Sequence, residues 1–162
     1  MDPVTEQDIR ASFVNCSKGD TKRMSVPRDL DEKRWEELDF LGWTDSSYAG
    51  RGYLVVPRPA GVIGIALRYE TTGSDRAQMC TICTTTHSRG NVSLMTAKKV
   101  GESGRRGNTV GTYMCTDLAC SLYARGKKTP ALGNRYRENL TPEERAGRVR
   151  ENIELFVHRL YI

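Results

Sequence analysis

An α+β fold with antiparallel strands, N-terminal helices and a long C-terminal helix is predicted by three features of this chain. Four cysteines fall in two close pairs, Cys80-Thr-Ile-Cys83 and, after 31 intervening residues, Cys115-Thr-Asp-Leu-Ala-Cys120. Short apolar runs with strand-like alternation lie before and between the pairs, and a sharply capped amphipathic segment closes the chain.

The cysteines carry the most chemistry. Two close pairs held apart in sequence form the ligand pattern of a structural zinc site, because thiolates bind zinc well and four of them complete its tetrahedral shell. Cys115 ends the alternating run 109–114, and Cys120 sits where Asp117-Leu-Ala-Cys-Ser-Leu-Tyr123 can begin a helix. A knuckle, a hairpin and a ligand in the first turn of a helix make a treble-clef-type zinc finger. Zn2+ is therefore expected on Cys80, Cys83, Cys115 and Cys120. A redox Cys-x-x-Cys centre would want βαβ surroundings and needs no second pair. His87 is the rival ligand, and exchanging it for a cysteine would leave the site closed and structural. Cys16, in Phe13-Val-Asn-Cys16, reads as a small buried hydrophobe.

The remaining elements follow in order. Thr5 caps a first helix, Asp8 completes its capping box, and Ile9 and Phe13 share one face. The polar run Asn15 to Asp20 ends it. A short second helix is expected after Pro27, with Asp29 as cap and with Trp35 and Leu38 inward. Trp35, Phe40 and Trp43 are expected in the core. Tyr53 to Val56 and Val62 to Tyr69 read as strands, with Ile63, Ile65, Leu67 and Tyr69 on one face. Val92 to Ala97 and Thr109 to Met114 read as a hairpin whose glycine-rich tip, Gly101 to Asn108, is basic and flexible. A finger helix from about 118 to 124 ends at Gly126, and 127–139 is polar and irregular. The last helix has Thr141 as cap, Pro142 at its first position and Glu144 in the capping box, with Val149, Ile153, Phe156 and Leu160 on one stripe.

At 162 residues, 38% hydrophobic and 7% aromatic, the chain is expected to be one domain over 1–162. Its core is thin, so a zinc-binding core at 79–126 and a packed helix at 141–160 make physical sense. The N-terminus lacks the apolar stretch of a signal peptide, nothing reaches bilayer-spanning length, and the cysteines are of zinc type; the expectation is a cytoplasmic monomer. Net charge is +5, yet Lys98 to Arg137 alone holds nine basic residues against two acidic ones. Such a stripe suits an acidic protein surface, ribosomal RNA, or a plain solvated face. No enzyme is expected. Four thiolates leave no open position on zinc, and the two histidines support no triad. The tip glycines lack the Gly-Lys-Ser/Thr ending of a phosphate loop.

Several runs together resemble a known family. They are Met79-Cys-Thr-Ile-Cys83, Val92-Ser-Leu-Met-Thr-Ala97, Gly107-Asn-Thr-Val-Gly-Thr-Tyr-Met-Cys-Thr-Asp-Leu-Ala-Cys-Ser-Leu-Tyr123 and the capped last helix. Ile9-Arg-Ala-Ser-Phe-Val-Asn-Cys16 and Leu38-Asp-Phe-Leu-Gly-Trp43 extend the likeness over nearly the whole chain. The pattern is similar to the treble-clef domain of elongation factor G-binding proteins, relatives of FusB-type fusidic acid resistance proteins. The resemblance implies a zinc domain that binds elongation factor G, and resistance members that help free that factor from drug-trapped ribosomes. It also implies the four cysteines as ligands and a factor-binding face near the finger helix, with Tyr123, Arg125, Lys127 and Phe156 as its residues. FusB-type proteins carry a helical domain before the finger, for which this chain has no length to spare, so factor binding is expected and drug resistance is left open. A different reading, an RNA- or ribosome-binding finger, would use Arg105 and Arg106 at the tip and Lys127 and Lys128 beyond the finger helix.

Overall fold

The computed structural model describes residues 1–133 and 138–162, so Arg135 and Arg137 of the basic stretch lie outside the described residues. In chain order the helices and strands begin with α1 (Glu6–Ala11), α2 (Lys18–Arg23), β1 (Leu41–Thr44), β2 (Arg51–Arg58) and β3 (Gly61–Arg68). There follow β4 (Gln78–Met79), β5 (Thr86–His87), β6 (Val92–Lys98), α3 (Gly101–Arg105), β7 (Thr109–Cys115), α4 (Cys120–Ala124) and α5 (Pro142–Arg159). Five strands form one antiparallel sheet in the order β1-β2-β3-β6-β7, and β4 and β5 pair with each other alone.

The side-chain alternation of a strand organises the interior into two layers. On β2, Tyr53 and Val55 point into a core shared with Ile9, Met24, Trp35, Leu41 and Trp43. Leu54 and Val56 point the other way, into a larger core with Ile65, Leu67, Met95, Met114 and the α5 residues Val149, Ile153 and Phe156. The sheet is thus covered by the N-terminal segment on one face and by α5 with the cysteine region on the other. A 3.6-residue period puts Val149, Ile153 and Phe156 on one stripe, and the full capping box at Thr141 and Glu144 with Pro142 starts the helix as expected.

Where local signals compete, the structure departs from the sequence expectations. Ser17 does not merely end α1; it caps α2, with Asp20 closing the same Ser-x-x-Asp box that Thr5 and Asp8 make on α1. Phe13 lies beyond α1 and bridges to Gly64 of β3. After Pro27 there are only two 3-10 turns, Leu30–Glu32 and Trp35–Glu37, and Asp29 makes no capping bond. Within this segment Trp35 fills one core and Phe40 the other. The tip of the β6–β7 hairpin is one helical turn, α3, rather than a flexible loop.

Two outcomes follow from this packing. Phe156→Ala empties a fully enclosed site and should lower stability by about 3–5 kcal/mol, read as a shifted urea midpoint at unchanged slope. Asp45 is buried, which opposes its ionisation, but the hydrogen bonds it accepts from the Ser47 amide, the Tyr53 hydroxyl and the Ser25 amide prevail and hold its carboxyl below the ordinary value; the Tyr48 amide donates to it as well. Its contribution is therefore present above the unfolded value of about 3.9 and is lost as pH falls through the still lower folded value. Asp45→Asn should destabilise clearly at pH 7, and the gap to wild type should close in acid below that window; a gap independent of pH would contradict the assignment.

Candidate metal centre

Cys80 follows β4 and Cys83 precedes β5, so the first pair sits in a turn held by Thr84 N–H to Cys80 O and Cys80 N–H to Thr85 O, both 2.9 Å. The Ile82 and Cys83 amides point at Cys80 Sγ, 3.3 and 3.5 Å away. Cys115 is the last residue of β7 and Cys120 the first of α4. Between them the chain reverses through Leu118, whose amide donates to Cys115 O. Thr84 and Leu118 both have φ of +57°, a conformation that costs an L-residue roughly 1–2 kcal/mol. The two non-glycine residues with positive φ among the described residues therefore sit one in each ligand loop. Gly42 of β1 makes room for the second loop, since a Cβ there would lie 2.6 Å from Leu118 Cβ.

The four sulfurs lie within 4.8 Å of one another and all four cysteines are buried. Cys80 and Cys120 sulfurs are 3.7 Å apart, and those of Cys83 and Cys115 are 3.5 Å apart. A zinc–sulfur bond of about 2.3 Å implies tetrahedron edges of about 3.8 Å, so the cluster has the dimensions of a Zn2+ shell. Hydrogen bonding to Cys115 and the other sulfurs, together with burial, pushes the Cys120 thiol well above its ordinary value. A divalent cation reverses that preference by stabilising the thiolates.

His87 stands behind this cluster rather than in it. Its Nε2 is 3.2 Å from Cys115 Sγ, and its ring packs edge-on against Tyr123 at 4.6 Å. With Cys115 as a thiolate, the imidazole N–H donates to sulfur and fixes its direction. Tyr123 in turn donates to Asp117 (2.8 Å), as does Lys128 (2.7 Å). Burial opposes ionisation of Asp117, but the bonds from Lys128, the Ala119 amide and Tyr123 prevail and hold its carboxyl low. Cys16 lies apart from the centre; burial, then the Asp20 charge, pushes its thiol up to about 11.

The last helix clamps the first ligand loop. Asn152 donates to the Thr81 and Ile82 carbonyls at 3.1 and 3.0 Å, and Arg148, one turn earlier, donates to Cys83 O at 3.2 Å. Three consecutive carbonyls of the knuckle are thus satisfied by two α5 side chains. A second tie runs through Asp39, whose carboxylate is almost fully enclosed. Arg125 grips both its oxygens, Arg150 adds a third bond, and the Asp39 amide donates to Ser121 Oγ at 3.0 Å.

These contacts redistribute the residues expected to face a partner. Phe156 is only 2% exposed and belongs to the core, so it cannot reach a partner surface in this fold. Arg125 is committed to Asp39, an acid 86 positions away that local sequence reading does not connect to it. Lys127 and Lys128 pair with Glu37 and Asp117, and Arg106 with Glu102, which leaves Arg105 without an ion pair among them. Tyr123 is half-buried against His87. Missed from the sequence were Met79, Leu94 and Tyr113, which are 58%, 46% and 45% exposed. Leu94 and Tyr113 are direct cross-strand partners, and the Leu94 side chain lies over Gly111. The Thr81 amide donates to Tyr113 O at 2.8 Å, joining this pair to the knuckle that carries Met79. The outward positions of β6 could have been counted from its period-two pattern.

Stripping the metal with a chelator should collapse the finger: loss of tertiary signal with chelator, recovered by Zn2+ at one ion per chain, is the expected titration. Arg125→Ala leaves the enclosed Asp39 carboxylate to the half-exposed Arg150 alone and should destabilise by somewhat less than the ~3–5 kcal/mol of a fully unpaired buried charge, visible in denaturant unfolding with the metal bound. A variant as stable as wild type would return Arg125 to the list of surface residues.

The model of the family described as FBP C-terminal treble-clef zinc-finger matches residues 8–160. No curated protein matches the chain. The solved structure of the fusidic acid resistance protein FusC aligns with a TM-score of 0.48 at 23% identity, over 62% of this chain and 45% of that one. This chain thus spans less than half of the length of that protein. No helix among the described residues is long and apolar enough to cross a membrane. The family match, covering nearly all of the sequence, agrees with four buried cysteines positioned for metal binding: the chain belongs to the FBP C-terminal treble-clef zinc-finger family, with Zn2+ as its cofactor.

Proposed function

We propose that this protein is a non-enzymatic, zinc-stabilised module that binds elongation factor G and modulates its interaction with the ribosome. In this reading Cys80, Cys83, Cys115 and Cys120 are the zinc ligands, residues 79–126 are the treble-clef core of a single unit over 1–162, and the protein acts as a cytoplasmic monomer. Family membership supports the class of activity. The observation that carries the reading is the exposed set Met79, on the cysteine knuckle, with Leu94 and Tyr113 on the adjoining hairpin. Large apolar side chains left in water on a rigid frame cost solvation with no return inside the fold, and they suit the anchors of a protein interface.

The metal would act at one remove from the partner. Zinc would fix β4, β7 and α4 relative to one another, so the backbone that carries Met79 and Tyr113 needs little further ordering on binding. Tyr123 borders the face, because its ring rests on His87, which pairs with Gln78 beside Met79. Lys127 remains half exposed and supplies charge at the rim, where its effect falls on association rate more than on affinity. A related role in tolerance of fusidic acid would follow from the same complex.

The test is isothermal titration of the zinc-loaded protein against purified elongation factor G, free of ribosomes and RNA. A one-to-one complex is expected, weakened at least about tenfold in the Met79→Ala, Tyr113→Ala double variant with faster dissociation, an effect of about 1.4 kcal/mol or more. No complex with the wild-type protein, by heat or by co-elution, would overturn the proposal.

A further inference from the structure

Farther along the outward face of β6, past Leu94, the sheet carries a concavity of about 550 Å³ whose lining includes Arg51, Arg68, Lys98, Lys99 and Arg105. It exists because β3 and β6 meet at one register pair, Arg68 opposite Thr96. Asn15 spans the gap: its amide donates to Ala66 O at 3.0 Å and Lys98 O at 3.2 Å, and accepts from the Ala66 amide at 2.8 Å. The N-terminal segment thus forms one wall and the α3 tip the other.

The cations are set out by the strand register. Arg51 stands directly opposite Arg68, Arg68 opposite Thr96, and Lys98 follows Thr96 on the same face at period two. Successive strands are about 4.8 Å apart, so the row crosses three strands, the breadth of several charges rather than one. None of Arg51, Arg68, Lys98 and Arg105 has an ion-pair partner among the described residues, which include every Asp and Glu of the chain. Asp20, the acid in the lining, is already engaged by the Ser17 cap and by Arg23 at 3.1 Å. Like charges placed directly opposite on neighbouring strands destabilise a sheet, so the juxtaposition of Arg51 and Arg68 itself adds nothing to the fold. The Arg51 guanidinium lies 4.4 Å over the Tyr48 ring, a cation–π contact that leaves its charge without an acidic partner.

We infer that this groove binds the phosphate backbone of structured RNA. The lining offers no exposed aromatic ring on which an unpaired base could stack, since Tyr53 is buried, and single-strand binders rely on such platforms. It also lacks the large exposed apolar anchors of a protein interface, which lie at the other end of β6. What remains is a row of unneutralised cations across a concave surface, the arrangement that reads duplex shape through its phosphates. The site uses none of the residues assigned to elongation factor G, so either reading can fail without the other.

The probe is a fluorescently labelled RNA duplex of about 16 base pairs and arbitrary sequence, titrated with the zinc-loaded full chain and read by anisotropy. Binding should fall with salt at a logarithmic slope of about −3 to −4, as expected for roughly four neutralised phosphates. The Arg68→Glu, Lys98→Glu double variant should lose at least about tenfold in affinity and flatten the slope by about two. Arg89→Glu, an exposed reversal outside the groove, and the Met79→Ala, Tyr113→Ala variant should bind RNA as wild type does. Unchanged zinc content and thermal transition will show that the reversed chain is folded; if it is not, Arg105→Glu alone serves, with a smaller loss in the same direction. Equal binding by wild type and the groove variants would overturn the inference. So would tighter binding of poly-glutamate than of RNA, which would assign the groove to acidic protein, or no RNA binding at physiological salt.

Discussion

The structure depends on gathering four thiolates around one cation. The ligands are delivered by three pieces of local structure: the turn between β4 and β5, which carries Cys80 and Cys83, the end of β7 and the start of α4. None of these pieces is long enough to be stable alone. Zinc contributes folding free energy of about 10–16 kcal/mol in small finger systems, comparable with the whole net stability of an ordinary domain. That scale explains why two residues in the ligand loops can adopt left-handed backbone without being glycine.

The metal does not act alone, because a ligand turn leaves carbonyls that need donors. Asn152 and Arg148 supply them from α5, and the same helix buries Ile153 and Phe156 against the sheet. Asp39 extends the connection to the N-terminal half, since Arg125 comes from the end of the finger helix and Arg150 from α5. An enclosed carboxylate shared by two guanidiniums contributes little net stability over an apolar substitute, but it fixes how the three segments meet. The positive stretch of the sequence is partly used up in such ties, and a count of charges therefore overstates how much of it faces a partner.

What is left over has a pattern. Along the outward face of β6, Leu94 lies at the finger end and Lys98 at the tip end, with Thr96 between them. The first end joins exposed apolar groups on the zinc-held frame. The second joins cations without acids. One strand thus presents two different chemistries, apolar at one end and cationic at the other.

The four cysteines that cluster, the two long strands of the finger hairpin, the β2–β3 pair and the capped last helix were all legible in the sequence. Each depends on spacing or periodicity within a few residues: Cys-x-x-Cys, alternation on β3 and β6, Thr-Pro-x-Glu at the start of α5. Local competition was harder to read, as at Ser17, where a polar run that breaks one helix also starts the next. The role of each surface residue was decided only by the tertiary structure. Tyr123, Arg125 and Phe156 looked alike as candidates, yet one supports a histidine, one neutralises an acid 86 positions away and one fills the core. Sequence spacing fixes which side of a strand or helix a residue occupies. Whether that side meets water, an opposite charge or a packed neighbour is set by segments distant in the chain, and it took the assembled sheet to show that Arg51, Arg68 and Lys98 stand together unpaired.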